Sequence, residues 1–273
     1  MTLQLTDITL ELRDRLAVIG VPLPFALKRR DPREPGRRRK ERTEDELHSL
    51  FLAYFRKQKY NVRKTLSAVA PHRKTLFGYD VDYYMMYLEE HIAADNAFIA
   101  KLGRVLTKAA TNGVLVFKEM IDLEMDYTLV NQRAVRWANK YAGNLISGID
   151  KTTKQAVRQL MGDFVRTPGM TIGDIVNNLP YNESRSLMIA TTETTKTYAM
   201  ANRMAGEALA KEYPDVLVVK RWFTNNDDIV CDICRPLNGT VVPLNEKWPG
   251  GIDQPPAHVN CRCWMTTSTR IGG

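Results

Sequence analysis

Five side chains near the carboxy terminus have the types and spacing to hold a metal ion. Cys231-Asp232-Ile233-Cys234 is followed by His258-Val259-Asn260-Cys261-Arg262-Cys263, and these two segments contain all four cysteines of the chain. Two thiolates three positions apart share one face of a turn, and His258 with Cys261 repeats the spacing with an imidazole in place of one thiolate. Cys263, two residues beyond Cys261, points the same way on an extended strand, so either thiol can complete a tetrahedral set with Cys231, Cys234 and His258. A structural zinc knuckle fits this spacing; buried free thiols or a Cys231–Cys234 disulfide are the competing readings. A catalytic ion needs an open coordination position and a nearby acid or base, whereas five close ligands suggest a closed site.

The second feature is charge. The 273 residues carry a net charge of +8, and the stretch from Lys28 to Arg42 supplies +6 of it, with nine basic and three acidic side chains. Lys28, Arg29, Arg30, Arg33, Arg37, Arg38, Arg39, Lys40 and Arg42 can neutralise phosphates regardless of base sequence, so they are the candidate nucleic-acid contacts. Pro32, Pro35 and Gly36 interrupt the run, which reads as an extended or disordered arm or linker over residues 28–42. A solvated linker, or contact with an acidic protein surface, is the alternative use of such charge.

Helices must position both features. Residues 1–27 contain an imperfect apolar stripe over Asp7 to Ile19, consistent with a short docking helix ending at Gly20. Thr43 and Glu46 form a capping box, so a helix is expected from about residue 44, with Leu47, Leu50, Phe51, Tyr54 and Phe55 inward and Arg56, Lys57, Lys59, Arg63 and Lys64 on its other face. A longer helical pattern covers about residues 80–110 and ends at Asn112-Gly113, and residues 114–141 resume it, giving a helical region over 43–143. His72 and His91 lie in these segments and read as ordinary histidines. Further on, Asp150 or Thr152 can start a helix, Thr171 another, and Asn182 caps a long one beginning at Glu183.

That last helix crowds five threonines, Thr191 to Thr197, into two turns, at a cost in helix propensity that packing must offset. Its stripe of Leu187, Thr191, Thr194, Tyr198, Ala201, Ala205 and Leu209 is dominated by small residues and can approach another backbone or sheet closely. Glu193, beside that stripe, reads as a structural hydrogen-bonding group anchoring the helix to the metal lobe, because no second carboxylate or nucleophile accompanies it. Strands are expected at Val216–Phe223, Thr240–Val242 and Arg262–Thr267. The fold class is therefore α+β: helical amino-terminal and middle regions, then a small antiparallel sheet pinned by the Cys/His knuckle within a domain over 144–273.

The residues around the ligands resemble those of the phage Mu F-like minor head proteins. The resemblance rests on Arg221-Trp222-Phe223-Thr224, on Asp228-Ile229-Val230 before Cys231, on Leu237-Asn238-Gly239 and on Pro255-Pro256-Ala257 before His258; Trp222 and Asp228 are its structural positions. Ile149-Asp150-Lys151-Thr152-Thr153 and Ile189-Ala190-Thr191-Thr192-Glu193-Thr194 extend it over roughly residues 135–268, with Thr191 standing where the family pattern has a basic residue.

The resemblance implies a non-enzymatic phage structural protein acting in capsid assembly and head morphogenesis. It would be located in the virion inside the head near the portal, with the host cytoplasm as the site of assembly. Portal or capsid proteins and packaged DNA are the implied partners. Confinement of the cysteines to one cluster also fits synthesis in a reducing compartment. Two other classes compete with this reading. A zinc-supported nuclease would use His258 to activate water, but no acidic metal-binding cluster accompanies it, because Asp227, Asp228 and Asp232 share one loop and are better placed to shape the knuckle. A delivered toxin would need an effector module, and nothing in residues 1–143 resembles one. No apolar run approaches the roughly 20 residues of a membrane span, and no signal-peptide pattern opens the chain.

Overall fold

A computed structural model describes residues 30–69, 81–225 and 227–271. The expected helix at residues 7–19, together with Lys28, Arg29 and His72, lies outside them. Among the described residues the chain runs α1 (Arg37–Val69), α2 (Val81–Ile92), α3 (Asn96–Met120), α4 (Thr128–Arg166), α5 (Ile172–Asn178), α6 (Glu183–Glu212), β1 (Val216–Phe223), β2 (Val241–Pro243) and β3 (Trp264–Ile271). The α+β class stands: helices pack first, and a three-stranded antiparallel sheet of order β2-β1-β3 closes the carboxy-terminal end.

One large core unites the helices. Leu47, Phe51, Phe55 and Leu66 of α1 bury against Leu88 and Ile92 of α2, Leu102 and Phe117 of α3, and Met161 of α4. The threonine-rich α6 is the central element, with Thr194 and Thr197 fully buried and packing made against α1, α3 and the sheet. Its small-residue stripe permits the close approach that the sequence suggested. A Cβ built on Gly113 would lie 2.7 Å from the Ala201 Cβ and 3.3 Å from the Tyr198 backbone.

That contact corrects the helix boundary expected at Asn112-Gly113. α3 continues through Gly113 to Met120, because glycine is there for interhelical fit and not as a stop. The break falls earlier, at 93–95, where Asp95 caps α3 by accepting from the Phe98 N–H at 2.7 Å. Asp150 likewise starts no helix. It sits inside the 39-residue α4 and its carboxylate accepts the Ala94 N–H at 3.1 Å, capping the α2–α3 break from a neighbouring helix. Thr152 and Thr153 return their hydroxyls to the Ile149 carbonyl, which lets them stay within the helix. The 143/144 boundary therefore falls within α4. By contrast, the caps at Thr171 and Asn182 and the start of α6 at Glu183 are where the sequence placed them.

The reading of residues 28–42 as an extended or disordered arm is corrected over its described residues, 30–42. Helix α1 begins at Arg37, directly after Gly36, whose φ of +67° lets the chain turn into it. Thr43 is inside that helix and returns its hydroxyl to the Arg39 carbonyl at 3.0 Å, so it caps nothing. Helix-favouring Arg and Lys side chains, and the burial of Arg30 and Lys40 described below, move the start forward from residue 44.

Candidate metal centre

The five ligand residues stand on two tight turns and one strand entry. The first turn is closed by the Cys234 and Arg235 N–H groups, both donating to the Cys231 carbonyl, at 3.1 and 2.9 Å. The second is closed by the Cys261 N–H donating to the His258 carbonyl at 3.3 Å, with Asn260 at φ +68°, a conformation that asparagine tolerates. Cys263 immediately precedes β3, and the β1–β3 register of Phe223 opposite Trp264 carries the second turn to the end of β1, where the chain leaves toward Cys231. The Asn238-Gly239 turn then returns the chain to β1 through the Gly239 N–H, which donates to the Trp222 carbonyl at 2.8 Å.

The side chains converge as two triads that share Cys234. Cys231, Cys234 and His258 form one, Cys234, Cys261 and Cys263 the other, and within each the ligand atoms lie within 4.8 Å of one another. Cys234 Sγ is 3.8 Å from Cys261 Sγ and 3.4 Å from His258 Nε2. A tetrahedral zinc ion with ordinary Zn–S and Zn–N lengths requires edges of about 3.8 and 3.6 Å respectively. Cys231 Sγ lies 3.0 Å from the same His258 Nε2. The other ring nitrogen, Nδ1, is 2.8 Å from the Val259 carbonyl oxygen, and a proton there leaves Nε2 as the coordinating atom.

Electrostatics favour deprotonated sulfur at two positions. Partial burial works against the Cys231 thiolate, but the N–H groups of Cys234 and Ile233, the Cys234 thiol and nearby His258 hold its pKa below the ordinary thiol value. Hydrogen bonds from Cys234 and Cys263 pull Cys261 down, and the same interaction with Cys261 pushes Cys234 up, so the buried triad shares its protons unequally. Burial lowers His258, and the Val259 carbonyl with Cys261 and Cys231 more than offset it, leaving the imidazole above its usual pKa. A cation at this point would substitute for those shared protons. The thiolate and imidazole donor set therefore fits a metal, and Cys231, Cys234, His258, Cys261 and Cys263 form a cluster that could hold one.

Several partners hold this cluster in place. Trp222, fully buried, meets Trp248 edge to face at 5.2 Å in a small core that also contains Cys234, Cys261, Cys263 and Met265. The Asn260 N–H donates to Thr192 Oγ1 at 2.8 Å, and Thr195 Oγ1 donates to the Cys261 carbonyl at 3.2 Å, so α6 grips the second turn through two threonines. Sequence reasoning missed both, giving the anchoring role to Glu193. Glu193 in fact accepts from the Tyr141 hydroxyl at 2.7 Å, tying α6 to α4, and burial raises its pKa. The loop before Cys231 is likewise tied by Asp227, which accepts from Arg262 at 2.6 Å and from Asn225 at 2.8 Å, while Asp228 is exposed. Thr191, at the position where the family pattern has a basic residue, is buried.

The nine candidate phosphate contacts separate. Arg30 is buried, donating to Glu34 at 3.0 Å, to Glu44 at 2.7 Å and to Thr195 Oγ1 at 2.9 Å. Lys40 is buried against the same Glu34 carboxylate at 2.7 Å, and burial lowers its pKa. These two cannot reach a phosphate without unpacking the core. Arg33 pairs with Asp31, Arg37 with Glu41 and Arg39 with Glu119. Arg38 and Arg42 are exposed on α1. The run thus locks the start of the described chain onto α6, and the Asp31 N–H donating to Asn225 Oδ1 at 2.7 Å extends the lock to the knuckle loop. The sequence signal for this was available in Glu34, Glu41 and Glu44, spaced to meet the cations.

Residues 138–266 match the family described as Phage Mu protein F like protein. The family points to a phage head protein, hence to the virion and to capsid-related partners. No curated protein and no solved structure matches the chain. Among the described residues, no helix is long and apolar enough to cross a membrane.

Proposed function

We propose that the protein is a non-enzymatic minor head protein whose Mu F-like domain is stiffened by a structural zinc ion. In this reading it acts in capsid assembly and head morphogenesis, inside the head near the portal, in contact with portal or capsid proteins and with packaged DNA. The observation that carries it is the knuckle within the family-matched segment, gripped by Thr192 and Thr195 of the buried α6. Such an ion would contribute folding free energy directly, tying two turns that otherwise have only a small core between them. The ligand set argues against the nuclease reading. His258 Nε2 faces two thiols and Nδ1 faces a carbonyl, so neither ring nitrogen is disposed to take a proton from water.

The test is elemental analysis of the purified protein together with incorporation into phage heads. One equivalent of zinc in the wild type, its loss in Cys231→Ser, and retention of both zinc and head incorporation in His258→Cys are expected. Absence of the protein from particles, or DNA cleavage abolished by His258→Cys while zinc is retained, would refute the reading.

A further inference from the structure

Five of the seven described cations of 28–42 are paired with carboxylates, and α1 offers a further surface for nucleic acid. Residues 47–79 contain seven Lys and Arg and no Asp or Glu. Within the described part of that window, Arg56, Arg63 and Lys64 are exposed, away from the core residues Phe55, Gln58, Val62 and Leu66, and Lys59 is half-buried at the border between the two faces. Tyr60 stands among them, 66% exposed, one helical turn after Arg56 and one turn before Arg63 and Lys64. An aromatic ring so exposed contributes little to folding, whereas a base can stack on it.

Some exposed cations elsewhere on the surface pair with carboxylates, as Lys108 does with Glu46 and Arg133 with Glu207, whereas others such as Lys101, Arg104 and Lys140 make no ion pair among the described residues. Lys57, at the edge of this face, pairs with Asp95. Arg56, Lys59, Arg63 and Lys64 make no ion pair among the described residues. Arg56 to Lys64 spans about 12 Å of helix, over which a duplex presents roughly seven phosphates. An exposed ring flanked by cations that make no ion pair among the described residues matches a phosphate backbone with unstacked bases better than an acidic protein patch, which would gain nothing from the ring.

We propose that this face of α1 binds nucleic acid without sequence preference, Arg56, Lys59, Arg63 and Lys64 contacting phosphates and Tyr60 stacking on a base. This refines the DNA contact of the preceding reading by locating it. The test uses the purified full-length protein and fluorescence anisotropy with oligothymidine and two unrelated duplexes between about 50 and 200 mM salt. Replacing Arg56, Arg63 and Lys64 together with Ala is expected to weaken binding to all three probes at least about tenfold and to flatten the log–log salt slope on duplex by up to about 2.7. Tyr60→Ala is expected to weaken oligothymidine binding with its slope unchanged.

All four changes are on an exposed face, and thermal melting confirms that each variant is folded. A triple variant with wild-type affinity and slope would overturn the proposal, as would a wild type that binds polyglutamate as tightly as DNA. Incorporation of the triple variant into heads, measured in parallel, reads the head-assembly role separately.

Discussion

Arg30→Ala should destabilise the protein far more than loss of a basic side chain from a solvated arm could. The guanidinium side chain is 1% exposed and bonds Glu34, itself 0% exposed, at 3.0 Å and Glu44 at 2.7 Å. Burial disfavours its charge, yet Glu34 and Glu44 hold its pKa above the ordinary arginine value, so the pair is electrically balanced only while Arg30 is present. Truncation leaves Glu44 without this partner, deprives Thr195 of a donor and opens a void. Breaking a buried ion pair from one side costs about 3–5 kcal/mol. Lys40 still neutralises Glu34 at 2.7 Å, which places the expectation near the lower end, about 3 kcal/mol. In a chain of this size that corresponds to a fall of roughly 6–12 °C in melting temperature. Arg38→Ala, the same charge change at an exposed position of α1, should stay within about 0.5 kcal/mol. Differential scanning calorimetry of both variants decides the matter. Equal melting temperatures would refute the buried-clasp argument and restore the arm.

Three further outcomes follow from individual contacts. Chelation of the wild type, or Cys231→Ser, should lower thermal stability and raise hydrogen exchange at the two knuckle turns, and unchanged exchange there would remove the metal from the folding argument. Gly113→Ala should destabilise by about 1–2 kcal/mol in denaturant titration, because overpacking against Ala201 and the Tyr198 backbone outweighs the roughly 1 kcal/mol gain in helix propensity; a stabilised variant would show that α3 and α6 can separate freely. Burial raises the Glu193 pKa, so the folded state holds its proton more tightly than the unfolded chain, and stability falls as pH rises above the unfolded value toward the folded one. Glu193→Gln can still accept from Tyr141, and its melting temperature relative to wild type should therefore improve from pH 4 to pH 8; parallel curves would contradict it.

The sequence by itself determined the features that depend on local spacing. Cys231 to Cys234 and His258 to Cys261 each specify a turn, and Cys263 stands just before the strand that completes the cluster, so the five candidate ligands were legible before any fold was known, whereas the Thr192 and Thr195 contacts that hold them were not. Thr171 and Asn182 were legible as caps because a capping side chain acts on backbone three residues away. Only the tertiary structure decided the roles of residues whose partners are distant in the chain. Asn112-Gly113 looks like a stop until Ala201 is seen against it, and Asp150 looks like a helix start until it is found capping Ala94 across the bundle. The run from Lys28 to Arg42 has the composition of a free arm, yet Thr195, 165 positions from Arg30, makes part of it core. Charge composition records how many cations a segment has, whereas burial beside a carboxylate, which only packing creates, decides which of them remain available to a phosphate.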